Sequence, residues 1–302
     1  MGRQRKLQTI TEAAALVPDG ATVAIGGMHS HAGPMPIVRE LIRRGTNELT
    51  LVPNVSAGLP ADLLIAGGGV RTVYACYIGL EQHGLAPAFR TAAQSGRLEV
   101  RDIDEPTLVY GLKAAGANLP FMPLPIGHRA TQTTQVSSAK YEIVQCPFNG
   151  TEHVAIPPLR PDIGLIHAQT ADPFGNVWID GPLYQDDLIA KASRTVIVTT
   201  DEIREERLDL DGRTVSIPGF FVDAVVHVPF GAHPTSSHGR YIADDAHLAM
   251  YSDSDPSAYV EQYVHAVDDH SGYLELIGAS QIAELLNRGP LRRRRQTGET
   301  AT

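Results

Sequence analysis

The residues most able to do chemistry stand together in VAIGGMHSHAGPMP, residues 23–36. There a β-branched run meets Gly26-Gly27, then two histidines, then prolines. Glycines directly after a buried strand let the backbone approach a ligand and aim N–H donors at an oxygen that gains negative charge. A tight turn without any ligand accounts for the pair equally well. Met28, His29, Ser30, Gly33 and Pro34 complete the loop, and a second one, Asn54-Val55-Ser56-Ala57-Gly58, follows the next apolar run. Other uses of glycine fail on spacing. A dinucleotide-binding fingerprint needs GxGxxG opening into a helix, and a Walker loop needs Lys-Ser/Thr after its glycines. Gly26, Gly27 and Gly33 offer neither, which sets a nicotinamide-dependent oxidoreductase aside. His29 and His31 follow a break in regular structure with no Asp, Glu or Cys nearby to complete a ligand set, so no metal site is expected. His227, His233 and His238 lie on turn-rich sequence and read as solvated or capping side chains. Glu105 stands beside Asp104, a natural helix cap, so its own carboxylate need only favour the positive end of that helix.

The elements that hold these loops alternate. A short helix is expected at 11–16, strands at Thr22–Ile25, Leu49–Val52, Val70–Cys76 and Leu98–Val100, and helices at Ile37–Arg44, Pro60–Ala66 and Leu85–Gln94. Residues 105–117 carry small and apolar side chains on most faces and read as a buried helix. Residues 122–139, rich in Pro, Gly, Thr, Gln and Ser, read as a long loop, either mobile or partner-binding. A second α/β stretch follows: strands at Asp162–His167, Thr195–Thr199 and Val222–Val228, and helices at Leu183–Ser193 and Pro256–His270. The Tyr259 and Tyr263 stripe on the last helix reads as core or interface. Strands alternating with helices predict an α/β fold, a mainly parallel sheet with helices on both faces, whose ligands sit beyond the carboxyl ends of the strands. No linker composition interrupts residues 1–288, so one continuous domain is expected, with 289–302 a disordered polar tail around Arg292–Arg295.

Composition narrows the partners. The chain has 302 residues, 43% of them apolar, and a net charge of −9, which argues against nucleic acid or an anionic membrane as the main partner but leaves an anionic small molecule open. Cys76 and Cys146 are far apart and outside any CxxC pair; they read as buried small residues in a reduced, cytoplasmic protein. No run reaches membrane-span length.

Asp19-Gly20, Val23-Ala24-Ile25, Gly26-Gly27 and Pro34 together resemble the glycine-loop signature of the A chain of family I coenzyme A transferases. That pattern has an aromatic residue after the two glycines and a glycine two before the proline, where this chain has Met28 and Ala32. PMPIVRELIRRG resembles the helix after the loop in the glutaconate branch. Glu105 with LKAAGANLPFMP, PDIGLIHAQTADPFGNV, VIVTTDEI and VDAVVHVPFGAHP resemble later family segments in the same order, over roughly residues 8–270.

The resemblance implies an enzyme that moves coenzyme A between carboxylic acids. A glutamate attacks the thioester to give an acyl anhydride, CoA returns to give a glutamyl thioester, and a second acid takes the CoA. It also implies a CoA-transferase type of fold, CoA as substrate and no permanently bound cofactor. The family's nucleophile lies in a Ser-Glu-Asn-Gly motif on a B subunit, and this chain reads Val55-Ser56-Ala57-Gly58 at the matching place. A separate B subunit is therefore the expected partner. Gly26–Gly33, Pro34, Asn54, Ser56 and Gly58 are expected to face the shared site as donors and shape. In the branch that hydrolyses ring-bearing CoA thioesters of steroid breakdown, a glutamate in the segment of Glu105 acts as base, which makes such a hydrolase the alternative. A non-catalytic binding or regulatory subunit of the same fold is the third reading.

Overall fold

The structure, a computed structural model, describes residues 4–130, 141–205 and 214–288. The expected tail at 289–302 and the later part of the expected loop, from 131 to 139, lie outside the described residues.

The main sheet has the strand order β11-β10-β8-β1-β2-β3-β4, every neighbouring pair parallel. These strands are β1 (Thr22–Ile25), β2 (Leu49–Pro53), β3 (Val70–Ala75), β4 (Glu99–Asp102), β8 (Ile163–Ala171), β10 (Thr195–Ile203) and β11 (Ala224–His227), with the short β9 (Val177–Trp178) antiparallel to β8. The period of two along each strand divides its side chains between two cores. Val23 and Ile25 face one, with Leu49, Leu51, Leu165 and Val226. Ala24 faces the other, with Val52, Ile166, Val198 and Val225. Helices α1 (Ile10–Ala14), α2 (Met35–Arg43), α3 (Leu59–Ala66), α4 (Pro87–Gln94), α7 (Asp245–Asp253) and α8 (Pro256–Val260) cover the first face. Helices α5 (Glu105–Gly116) and α6 (Asp186–Ala192) cover the second. The expected α/β architecture is the one observed.

Strands β1 to β3 coincide with the expected ones to within a residue, because each is a buried β-branched run closed by Gly or Pro or by the turn that follows. Asp104 caps α5 as expected, accepting the Thr107 N–H at 2.9 Å. That helix is buried on one face, through Leu108, Leu112 and Ala115, while Glu105, Pro106 and Lys113 are exposed.

Strands β8 and β10 each run four residues past their expected ends at His167 and Thr199, and three other stretches differ from expectation. The region expected as loop from 122 opens with β5 (Met122–Pro125) and a 3-10 turn at Ile126–Ala130. Strand β5 pairs antiparallel with β7 (Glu152–Ile156), and β7 with β6 (Glu142–Gln145), making a small second sheet whose core is Leu124, Val154 and Ile156. The helix expected over 256–270 stops being α-helical after Val260. A π-helical turn at Glu261–His265 follows, and Asp269 caps a new helix, α9 (His270–Ile277), which leads to α10 (Ala279–Arg288). The third difference is at α6, which begins at Asp186 rather than Leu183.

Candidate active site

The chain order makes β1 the pivot of the sheet. From β1 it steps outward to β2, β3 and β4, then returns to lay β8 on the other side of β1. A crevice therefore opens beyond the carboxyl ends of these strands, where such sheets hold ligands. The loop after β1 fills this position. Its crevice is lined by Gly26, Gly27, Met28, His29, Asn54 and Gly58 among the residues expected at a site, with His31, Pro53 and Ala57 beside them. Of the remaining expected residues, Ser56 serves from behind through its carbonyl, and Ser30, Gly33 and Pro34 lie on the flank of the loop away from the crevice lining.

The two loops are fitted to each other by missing side chains. The His29 N–H donates to the Ser56 carbonyl at 2.8 Å, and the Asn54 amide donates to the Gly27 carbonyl at 2.5 Å. A Cβ on Gly58 would lie 2.2 Å from the His29 carbonyl oxygen. Gly27 has φ +75°, and a Cβ there would meet the His31 and Ala32 carbonyls at 2.5 and 2.6 Å. Only glycine permits both approaches.

The amide donors expected of Gly26 and Gly27 are already engaged inside the chain. Gly26 donates to the Leu165 carbonyl of β8 at 2.8 Å, and Gly27 to the Asp186 carboxylate at 2.9 Å. Shape, not free N–H groups, is what this pair presents. Among the described residues, Nδ1 of His29 is a buried polar side-chain atom at the crevice left without a partner. The His29 ring meets Tyr77 edge-on at 5.8 Å.

The flank of the loop is tied to the segment after β11. Ala32 N–H donates to the Ser236 carbonyl, Ser236 N–H to the Ser30 carbonyl, and Gly33 N–H to Thr235 Oγ1. His31 Nδ1 lies 2.5 Å from Ser236 Oγ, and its ring stacks on His238 at 5.2 Å. Tyr184 completes the group, 3.2 Å from His238 Nε2. Burial pulls both imidazoles below their usual range, with Glu81 opposing at His31 and the His31 ring adding to the effect at His238. Glu81 itself accepts from Ser30 Oγ at 2.5 Å. His233 is not solvated: it is fully buried, 2.7 Å from Tyr273 OH and 3.1 Å from Asp244.

Glu105 stands apart from the crevice lining. It is exposed, the first residue of α5, and its charge is felt at Cys76 just past β3. Burial first, then the charges of Asp104, Glu105 and Asp102, push the Cys76 thiol up to about 12, which keeps it protonated and unreactive. Cys76 and Cys146 are free and half-buried, less enclosed than their reading as core residues. Among the described residues no three His, Cys, Asp or Glu side chains are placed to hold a metal ion, and no helix is long and apolar enough to cross a membrane.

Asp186, Tyr184, Glu81 and Ser236 join the site without any sign in the local sequence. Each meets the loop across 51 to 205 residues of chain, through contacts that no local pattern records.

A parallel sheet with a glycine loop at its pivot is an architecture with known relatives, and the chain belongs to the coenzyme A transferase family: that family's model matches residues 7–228. It is 32% identical to the A chain of glutaconate CoA-transferase from Acidaminococcus fermentans, with 93% of this chain and 94% of that protein covered. The crystal structure of that glutaconate coenzyme A-transferase matches with a TM-score of 0.84 over 93% of this chain and 95% of that one. The chain is also 30% identical to the cholesterol ring-cleaving hydrolase IpdA subunit of Mycobacterium tuberculosis, over 86% of this chain and 92% of that one. An uncharacterized protein of Archaeoglobus fulgidus is 38% identical over 90% of this chain, which spans 62% of its length.

Proposed function

We propose that this chain is the A component of a cytoplasmic, heteromeric CoA-transferase that moves coenzyme A between an acyl-CoA and a carboxylic acid, with a B subunit bringing the nucleophilic glutamate. One observation carries the reading: among the described residues, the crevice is lined without a single Asp, Glu, Cys or Ser side chain. A covalent transfer needs a nucleophile held out of water, and this lining supports the reading that another chain supplies it. What this chain contributes is a wall of backbone shaped by Gly26, Gly27 and Gly58, and the half-buried imidazoles of His29 and His31. His29 lines the crevice, and we assign its imidazole the part of a donor to the thioester oxygen as negative charge develops there. Coenzyme A and the two acids enter as substrates, and no resident cofactor is needed for these steps.

The test is reconstitution. The purified chain is mixed with a B-type chain carrying Ser-Glu-Asn-Gly, and CoA exchange between two carboxylates is followed. Exchange is expected in the mixture alone, and His29→Ala is expected to lower kcat by about 10²-fold, the usual cost of one oxyanion donor. Exchange by this chain without a partner would sink the reading.

A ring-opening hydrolase is the second reading. It is supported by an exposed Glu105 at the same end of the sheet as the crevice, where a partner chain could cover it, and by the likeness to the IpdA subunit. Glu105→Ala separates the two: near-normal transfer favours the transferase, and lost activity the hydrolase.

A further inference from the structure

Asp186 is a buried acid in direct contact with the glycine loop, and the transfer steps above do not use it. It opens α6, a short helix on the opposite face of the sheet from α2 and α3, and it is 1% exposed. Oδ1 accepts the Gly27 N–H at 2.9 Å and occupies the volume a side chain on Gly26 would need; a Cβ there would lie 2.0 Å from it. Oδ2 is equally buried and has no hydrogen-bond partner. A buried carboxylate oxygen without a partner is costly, which favours the neutral form of this group.

We propose that Asp186 is a positioning residue of the transfer site: its carboxyl group holds the Gly26–Gly27 turn from below, and its charge state sets how readily the crevice accepts a negative oxygen. This rests on the function proposed above. When neutral, the group keeps the turn in place and adds no charge. When ionised, it places a negative charge against the Gly27 amide, beneath the loop that faces the proposed thioester site. The geometry is matched by the electrostatics. Burial pushes this carboxyl up to about 7, opposed by the Gly27 N–H and aided by Asp187. Asp187 lies on the same helix, and Tyr184 just before it is itself raised by burial and by the charge of Asp186. The loop after β1 presents the Gly27 amide, and β8 presents the Leu165 carbonyl.

Two measurements test this. On the full-length chain with ¹⁵N-glycine, the Gly27 amide resonance is followed against pH in the wild type and in Asp186→Asn. A single transition near neutrality is expected in the wild type and none in the variant. A Gly27 amide that does not titrate, or titrates alike in both, overturns the proposal. On the complex reconstituted with the B-type chain, kcat is expected to fall above neutral pH in the wild type, and Asp186→Asn, which can still accept from Gly27, is expected to remove that fall with KM unchanged. Asp186→Ala, which cannot, is expected to lose about tenfold or more in kcat; wild-type kcat in that variant overturns the positioning role. A complex with no transfer activity counts against the proposed function and leaves the amide titration to decide on Asp186.

Discussion

Asp186 and Asp244 are buried almost equally, at 1% and 3% exposure, yet they behave oppositely. Asp186 has one hydrogen bond and one unpartnered oxygen, and burial carries it up to about 7. At Asp244 burial also works upward, but it is outweighed. His233 Nε2 at 3.1 Å, the His247 N–H at 3.0 Å and Gln281 at 3.0 Å bring the group down to about 2. Burial sets the size of the stakes, and the donors around the carboxyl decide the sign. The difference follows the position of each in the fold. Asp244 belongs to a staple: it caps α7 and orients His233, whose carbonyl accepts from Arg39 at 2.8 Å. Arg39 is 1% exposed and lies 3.5 Å above the Tyr273 ring. Asp186 lies under a loop that must meet a substrate, and there the fold leaves an oxygen unsatisfied.

The sharpest break in this comparison is Asp244→Ala. It removes three hydrogen bonds, one of them the cap of α7, and leaves His233 and Gln281 facing a void. The expected loss is about 3–5 kcal/mol in urea unfolding, the summed cost of buried donors left without an acceptor and of a lost helix cap. A loss below about 1 kcal/mol would mean that Asp244 is not part of a staple.

Next comes the pH dependence, where the two regions should pull in opposite directions. Burial first, with His233 adding and Asp244 opposing, takes His247 down to about 3; burial and the charge of Arg39 take His270 to about 3 as well. Between about 6.5 and 3 the unfolded chain binds protons that these folded imidazoles refuse, so stability is lost as the pH falls through that window. Asp244 adds to the loss below about 4. Asp186 has the reverse sign. Its folded form holds a proton from about 4 to about 7 that the unfolded form has released, so its contribution is lost as the pH rises through that range. Asp186→Asn is therefore expected to stabilise the chain at pH 8 by about 2–4 kcal/mol and to change little near pH 4. Equal effects at both pH values would show that Asp186 is not a buried titrating acid.

How much of this is legible in the sequence follows from the range of the contacts involved. The glycine loop, its strand and the Asp104 cap depend on neighbours within a few residues, so Thr22–Ile25 and the cap on Thr107 can be read directly. The small sheet escapes such a reading because its pairing joins 122–125 to 152–156 across a segment rich in Pro and Gly, where alternation is too short to register. The break at Glu261–His265 escapes it because no Pro or Gly marks the place; Asp269, a cap for a second helix, is the available signal. Asp186 looks like an ordinary helix residue, since its partner lies 159 residues earlier. Turn-rich sequence around His233 suggests the surface, whereas its ring is enclosed by Tyr273, Phe230 and His247.

The smallest expected effect isolates the electrostatic part of the comparison from the steric part. Asp187 reaches Asp186 through its charge, and it pairs with Lys191 at 2.9 Å on the partly exposed side of α6. Asp187→Asn removes a like charge, so Asp186 should ionise more easily, and the Gly27 amide transition should move to lower pH by about half a unit or less. Loss of the Lys191 pair should cost at most about 0.5 kcal/mol, because it is exposed and one turn apart on a helix. A shift to higher pH, or a displaced Gly27 resonance at every pH, would mean that Asp187 acts on the loop by packing and not through the charge of its neighbour.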